Sequence, residues 1–388
     1  MLVTYQPKSY IQDIQMPGSK SISNRLLLLQ ELYFPNMVID NLSKSSDSES
    51  LKNLIKDNNN GNTSFHIQDG GTTFRFMLCL LAISNRNVSI TCGETLFNRP
   101  HDALINTLIS IGFDLEPIHN GYLIKTVSLS DLQTEWSISM EQSSQFASAL
   151  LMIAPCIGKR ITLDLIGQPV SKGYFELTVG LMQDLDISIQ QLQNMLIIEP
   201  FNRDQKTMVA TVEADWSAVS YFIALSRVTN QQLRIHNVNQ QSLQPDQDIL
   251  NFARHIGVDF TFDSTTFVLS PVESFEYPQS LNRDYTNCPD IALTEIVLCY
   301  ALNIDLNAKG IDHLKFKESN RAIVIHDELS NFSSDLPSFN THNDHRVAMS
   351  LTTLSILKPI EFDDINVVSK SFPDFWQEVS KLGINLTQ

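Results

Sequence analysis

The stretch Pro17-Gly18-Ser19-Lys20-Ser21-Ile22-Ser23-Asn24-Arg25 runs into the apolar segment 26–29 and has the composition of an anion site. A small, hydroxyl-rich turn that opens a helix leaves backbone N–H groups without intrahelical partners at the positive end of the helix dipole. Lys20 and Arg25 set full charges beside them. Comparable openings recur at Gly70, Gly71, Thr72 and Arg75, at Ser143, Ser144 and Gln145, at Asp290, and at Asp344, His345 and Arg346. Lys317, Glu318 and Arg321 form a further charged group, Arg99-Pro100 follows a β-prone run, and Lys370 precedes Phe372-Pro373-Asp374. If these side chains converge, many cations meet two carboxylates. Arginine then grips carboxylate or phosphate bidentately and lysine point-wise, while Asp290 and Glu318 move protons.

Taken singly, each segment has a plainer reading. Residues 19–24 suit a helix N-cap, Gly70-Gly71-Thr72-Thr73 a turn, and Lys317-Glu318 with Arg321 a solvated helix face. Those readings weaken together, because each segment falls in register with one copy of a sixfold theme. The theme is a short opening of Gly, Ser, Thr, Asp or Asn followed by a mostly apolar helix, at 19–32, 70–83, 143–154, 215–225, 290–302 and 343–357. Helices apolar on nearly every side must be buried on nearly every side. Amphipathic segments follow at 101–111, 174–185, 248–256 and 375–382, and several run into hairpin-like tails: 112–115 with 122–124, 186–189 with 195–198, and 258–261 with 267–269. The unit reads strand, helix, strand, helix, strand, strand.

Three copies per domain predict an α/β protein with apolar helices inside, sheets outside, and several helix N-termini directed at one interdomain cleft. The expected domains are 1–18 with 214–388, which joins the N-terminal strand to the last three repeats, and 19–213, which holds the first three. The Asn-rich patch 56–62 reads as a loop.

The chain of 388 residues is long enough for a core in each of two domains. A formal net charge of -16 argues against nucleic acid and anionic membrane surfaces as partners. The five cysteines are scattered without a C-x-x-C pair, so neither a disulfide framework nor a zinc site is suggested, and a cytoplasmic location fits. The N-terminal residues lack the basic region and apolar core of a signal peptide, and no run is long enough to span a bilayer. His342 and His345 have the spacing of a metal pair, but no third ligand is recognisable nearby and no metal is expected. Phosphate-loop and dinucleotide fingerprints are missing, which leaves ATP and nicotinamide cofactors without support.

In order along the chain, PGSKSISNR, DGGTTFR, NRP, SSQFASALLM, VSKGY, EADWSAVSYF, PDIALTE, KFKESNR, NDHRVAM and KSFPDFW resemble the EPSP synthases, the 3-phosphoshikimate 1-carboxyvinyltransferase family of the shikimate pathway. The likeness implies a two-domain inside-out α/β barrel with three βαβαββ repeats per domain, acting without a cofactor. It assigns Lys20, Ser21, Arg25, Ser143, Ser144, Gln145, Ser171, Asp290, His313 and Lys317 to 3-phosphoshikimate, with His313 where the family often has Asn. Phosphoenolpyruvate is assigned to Lys20, Gly71, Arg99, Gln145, Arg321, Arg346 and Lys370. The chain departs from the family in a shortened loop before Arg99, which lacks a common extra arginine, and in a compact first module.

The reaction implied moves the enolpyruvyl group of phosphoenolpyruvate onto the 5-hydroxyl of 3-phosphoshikimate. Asp290 is the expected base for the hydroxyl, and Glu318 and Lys20 are candidates for proton delivery and return. The resemblance further implies a monomer, open without substrates and closed around them, and sensitivity to glyphosate beside Gly71. Two other readings compete. The related transferase acting on UDP-N-acetylglucosamine usually has Lys-Asn early and a loop cysteine shortly before its Arg-Pro, whereas here Ser21 follows Lys20 and Cys92 lies in an expected strand. A non-catalytic sensor of anionic metabolites is disfavoured by the presence of Lys20, Asp290 and Glu318 together.

Overall fold

The computed structural model describes residues 1–8, 11–263 and 266–387. They form two compact units, one of Met1–Ser19, Ser43–Ser46 and Glu213–Gln388, the other of Lys20–Leu42 and Asp47–Val212.

The Lys20–Leu42/Asp47–Val212 unit is organised around the helices Lys20–Leu32, Gly71–Ala82 and Ser144–Ile153. Their apolar content explains their place. Every residue of Gly71–Ala82 except Thr72 is buried, as expected of a helix with no polar face to present to water. Four-stranded sheets cover this core. In one, Ser64–Ile67 runs parallel to Val88–Cys92, followed antiparallel by Gly121–Lys125 and Asp114–Ile118. In the next, Glu135–Ser139, Ile161–Ile166, Met195–Ile198 and Ile189–Leu192 repeat the same order of pairings. Alternation sets which face is inside: Val88, Ile90 and Cys92 are buried and the residues between them are not.

The other unit repeats the arrangement around Trp216–Thr229, Ala292–Ala301 and His345–Leu351. Its sheets include Leu233–His236 with Thr266–Pro271, Val258–Asp263 and Gln12–Gln15. The N-terminal strand Leu2–Tyr5 lies between Ile360–Phe362 and Ile384–Thr387, so the two chain ends share one sheet.

Two copies of the repeat are trimmed. Helix Ser46–Asn59 is separated from strand Ser64–Ile67 only by 60–63, and helix Arg321–Asn331 from Ser338–Phe339 only by 332–337. Neither connection can hold two strands and a turn. Among the described residues the sheets Met37–Asp40 with Met208–Thr211 and Ser280–Asp284 with Asp305–Lys309 accordingly have two strands each. The Asn-rich patch is also not all loop: residues 56–59 form the last turn of Ser46–Asn59. Buried Asn58 accepts from Arg86 Nη2 through its backbone and side-chain oxygens, which offsets its poor helix propensity. Among the described residues, no helix is long and apolar enough to cross a membrane.

One buried ion pair fixes the segment that carries Asp290. Arg283 donates to both oxygens of Glu295 at 2.7 and 2.8 Å and to Asp248 at 2.7 Å, while the Tyr285 hydroxyl donates to Glu295 at 2.8 Å. Strand Ser280–Asp284 and helix Ala292–Ala301 are thereby clamped at both ends of the connection. Glu295 has no exposed side-chain surface and burial raises its pKa to about 7 even beside Arg283, so removing that partner leaves the carboxyl either charged without compensation or forced to take up a proton. Arg283→Met is expected to destabilise the chain by about 3–5 kcal/mol in urea unfolding, with much of that recovered in Arg283→Met/Glu295→Leu. A single-variant loss below about 1 kcal/mol would contradict the clamp.

Candidate active site

In the Lys20–Leu42/Asp47–Val212 unit, three helix openings meet. Lys20 begins its helix and places Nζ 3.1 Å from Asp47 Oδ2, with both side chains mostly buried. Asp47 sits in the first turn of Ser46–Asn59, where its backbone oxygen accepts from Thr73 Oγ1 on Gly71–Ala82 at 3.2 Å. The sequence reading missed Asp47. Its only signal was position, in the serine-rich run that opens a helix.

Arg25 is buried and its guanidinium donates to neutral oxygens: Thr178 Oγ1 at 2.7 Å, the Ser21 carbonyl at 2.8 Å and the Tyr174 carbonyl at 2.8 Å. Burial pulls its pKa down to about 10. Tyr174 lies on helix Lys172–Asp184, which Ser171 precedes in the left-handed conformation (φ 55°), a strained choice for a residue with a Cβ.

Gln145 and the Arg99-Pro100 turn are joined by Arg75, which the sequence places among the opening cations and the resemblance assigns to neither substrate. Arg75 Nη1 donates to Gln145 Oε1, its Nη2 donates to the Pro100 carbonyl at 3.2 Å, and its guanidinium lies 5.0 Å from the centre of the Phe146 ring. Ser143 caps helix Ser144–Ile153 by accepting from the Gln145 backbone N–H. Arg99 lies against Gly71 so closely that a Cβ there would be 3.0 Å from its Nη1. Glycine thus lets this guanidinium rest on the helix opening. Neighbouring His101 adds no charge: burial, then Arg75, lowers its pKa to about 3.

The Met1–Ser19/Ser43–Ser46/Glu213–Gln388 unit gathers the remaining candidates around Asp290. This residue lies in the 3-10 turn Pro289–Ile291 ahead of Ala292–Ala301, with proline at a position that needs no N–H. Arg346 Nη2 donates to Asp290 Oδ2 at 2.8 Å, Arg321 Nη1 donates to Oδ1 at 3.2 Å, and Lys317 Nζ stands 3.4 Å from the same oxygen. Arg321, only 1% exposed, also donates to Glu318 at 2.6 Å and to both oxygens of Asp344 at 2.7 and 3.1 Å. Lys370 Nζ is 4.0 Å from Glu318.

Asp344 is the shared anchor. It caps His345–Leu351 by accepting from the Arg346 N–H at 3.0 Å while holding Arg321. His342 and Asn343, with φ of 53° and 54°, turn the chain into that cap. His342 instead hydrogen-bonds Glu328 at 2.9 Å. His313 lies in the 3-10 turn Asp312–Phe316, and burial, then Lys317, lowers its pKa to about 4 against the pull of Asp290. The imidazole is neutral at physiological pH.

Burial alone would raise the pKa of Asp290, but Arg346, Lys317 and Arg321 outweigh it and hold the carboxyl well below its ordinary 3.8. Burial likewise lowers Lys317, with Asp290 opposing, and pushes the Tyr221 hydroxyl up to about 12. A carboxyl depressed in the folded state stabilises the chain fully above its unfolded pKa, and that stability is lost as pH falls through the folded value. Urea unfolding from about pH 5 to about pH 2 should therefore show a steeper loss of stability for the wild type than for Asp290→Asn. Parallel curves would contradict the assignment.

The EPSP synthase (3-phosphoshikimate 1-carboxyvinyltransferase) family model matches residues 5–339 and 337–379. A 3-phosphoshikimate 1-carboxyvinyltransferase of Bacteroides fragilis is 30% identical, with 98% of this chain and 97% of the relative covered. A second, from Halalkalibacterium halodurans, is 27% identical over 96% of this chain and 92% of its own length. Among solved structures, an EPSP synthase from Acinetobacter baumannii has the same fold, with a TM-score of 0.75 and 14% identity over the whole of both chains. Fold, coverage and the match along nearly the entire sequence lead to one conclusion: this chain belongs to the EPSP synthase family.

Proposed function

We propose that the chain transfers the enolpyruvyl group of phosphoenolpyruvate to the 5-hydroxyl of 3-phosphoshikimate, giving 5-O-(1-carboxyvinyl)-3-phosphoshikimate and phosphate, a step of aromatic amino acid biosynthesis. The observation that carries this reading is Asp290 shared by Arg346, Arg321 and Lys317, with Glu318 on the same Arg321. A base surrounded by cations suits a reaction between two anions, because the cations offset the substrates' mutual repulsion.

The bond changes are as follows. A proton adds to the methylene carbon of phosphoenolpyruvate, C2 becomes electrophilic, and the 5-hydroxyl oxygen bonds to C2 as its proton passes to Asp290. The resulting ketal phosphate loses phosphate by cleavage of the C2–O bond, and the new methyl group gives up a proton to restore the double bond. Glu318 and Lys20 are the candidates for delivering and recovering the carbon-bound proton.

Without ligand, Arg346, Lys317 and Arg321 hold the Asp290 carboxyl well below its ordinary 3.8, which weakens it as a base. Phosphoenolpyruvate taken up by Arg346, Arg321, Lys370 and Arg99 would engage those cations and add negative charge, raising the proton affinity of Asp290 when a base is needed. Arg25, now held by neutral oxygens, would find its counter-charge in 3-phosphoshikimate, bound with Ser21, Ser143, Ser144, Gln145, Ser171, His313 and Lys317. Gly71 leaves the space in which Arg99 and the smaller substrate meet. The reading extends to a cytoplasmic monomer that needs no cofactor, with its functional division at 18/19 and 213/214.

A phosphate-release assay separates this reading from its nearest rival. Release from phosphoenolpyruvate is expected with 3-phosphoshikimate and not with UDP-N-acetylglucosamine. Turnover with the nucleotide sugar, or with neither acceptor, would overturn the proposal.

A further inference from the structure

Arg346 is linked to a second carboxylate through a serine hydroxyl. Ser217 lies in the first turn of helix Trp216–Thr229, and its hydroxyl donates to Asp246 Oδ2 on the 3-10 turn Pro245–Asp248. The same Ser217 oxygen accepts from Arg346 Nη2 at 3.3 Å, on the nitrogen that also donates to Asp290 at 2.8 Å. Asp246 is buried, with 2% of its surface exposed, and Ser217 is buried too.

A serine hydroxyl has one proton to give, and Ser217 gives it to Asp246 Oδ2. Asp246 therefore fixes the direction of the Ser217 O–H, and the oxygen lone pairs are left facing the guanidinium. Arg346 Nη1 is restrained in its turn by the Asp290 carbonyl at 3.2 Å and the Tyr221 hydroxyl at 3.4 Å. Few orientations of the guanidinium plane satisfy these partners together. The second carboxylate also bears on charge, because it adds to Asp290, Glu318 and Asp344, which pair with Lys317, Arg321, Arg346 and Lys370.

We propose that Asp246, acting through Ser217, is a positioning residue that sets the plane in which Arg346 meets the anionic groups of phosphoenolpyruvate. This rests on the enolpyruvyl-transfer reading. Asp246 touches Ser217, and it is Ser217 that meets Arg346. Replacing Asp246 by Asn removes the charge and lets an amide N–H donate to the Ser217 oxygen, in competition with Arg346 for its lone pairs. Replacing Ser217 by Ala removes the acceptor outright.

Steady-state kinetics with both substrates varied tests the relay. Asp246→Asn and Ser217→Ala should each raise KM for phosphoenolpyruvate about tenfold, the loss expected of one hydrogen bond to a charged group, and leave KM for 3-phosphoshikimate within about twofold. The double variant should be no worse than the poorer single one, because both cut the same path. An unchanged KM for phosphoenolpyruvate, a parallel rise for both substrates, or multiplying effects in the double variant would overturn the relay. If Asp246→Asn fails to fold, Ser217→Ala alone decides by the same split between the two KM values. Wild-type protein without turnover would sink the underlying reading instead.

Discussion

A guanidinium cannot shed its charge at any physiological pH, and burying one without a counter-charge is heavily unfavourable. Arg321 is almost wholly enclosed, so the chain must bring carboxylates to it. Asp344 takes Nε and shares Nη2 with Glu318, while Asp290 takes Nη1. Each of these acids comes from a different opening. Asp290 precedes one buried helix, Asp344 caps another, and Glu318 stands just ahead of the helix that Arg321 begins. The need to balance one buried cation therefore fixes how three stretches of backbone end, and it holds the pKa of the residue proposed as the base below its ordinary value.

The Lys20–Leu42/Asp47–Val212 unit meets the same constraint in another way. Lys20 is paired with Asp47, but Arg25 is surrounded by carbonyl and hydroxyl oxygens. Neutral acceptors satisfy the hydrogen bonds of a guanidinium without cancelling its charge, and burial lowers the pKa of Arg25 to about 10. The proposed role of 3-phosphoshikimate is to supply the missing counter-charge. Arg75 ties Gln145 to the turn that carries Arg99, so groups far apart in sequence are set by the buried helices Gly71–Ala82 and Ser144–Ile153.

Much of this was legible in the sequence because buried helices need apolar residues all round and strands alternate. The six apolar segments became the six core helices, and the tails at 112–115, 186–189 and 258–261 lie at or beside hairpins formed with 122–124, 195–198 and 267–269. The trimmed copies were harder to read, because a missing hairpin leaves no positive signal beyond a short connection. Residues 56–59 misled because Asn favours loops in isolation, whereas Arg86 supplies the partner that keeps Asn58 in a helix. Asp47 and Asp246 look like ordinary opening and turn residues. Their significance lies in partners, Lys20 and Ser217, that no short-range pattern connects to them. The substrate roles of the site residues came from resemblance, not from spacing.

In the proposed mechanism, the surrounding cations set the proton affinity of Asp290 and an anionic substrate raises it. A carbon-13 NMR titration of the side-chain carboxyls, with the Asp290 signal assigned by its loss in Asp290→Asn, measures this directly. The expected result is a pKa well below 3.8 in the free protein and a clear upward shift when phosphoenolpyruvate is added. An ordinary carboxyl pKa without ligand, or a value that phosphoenolpyruvate leaves unchanged, would contradict it.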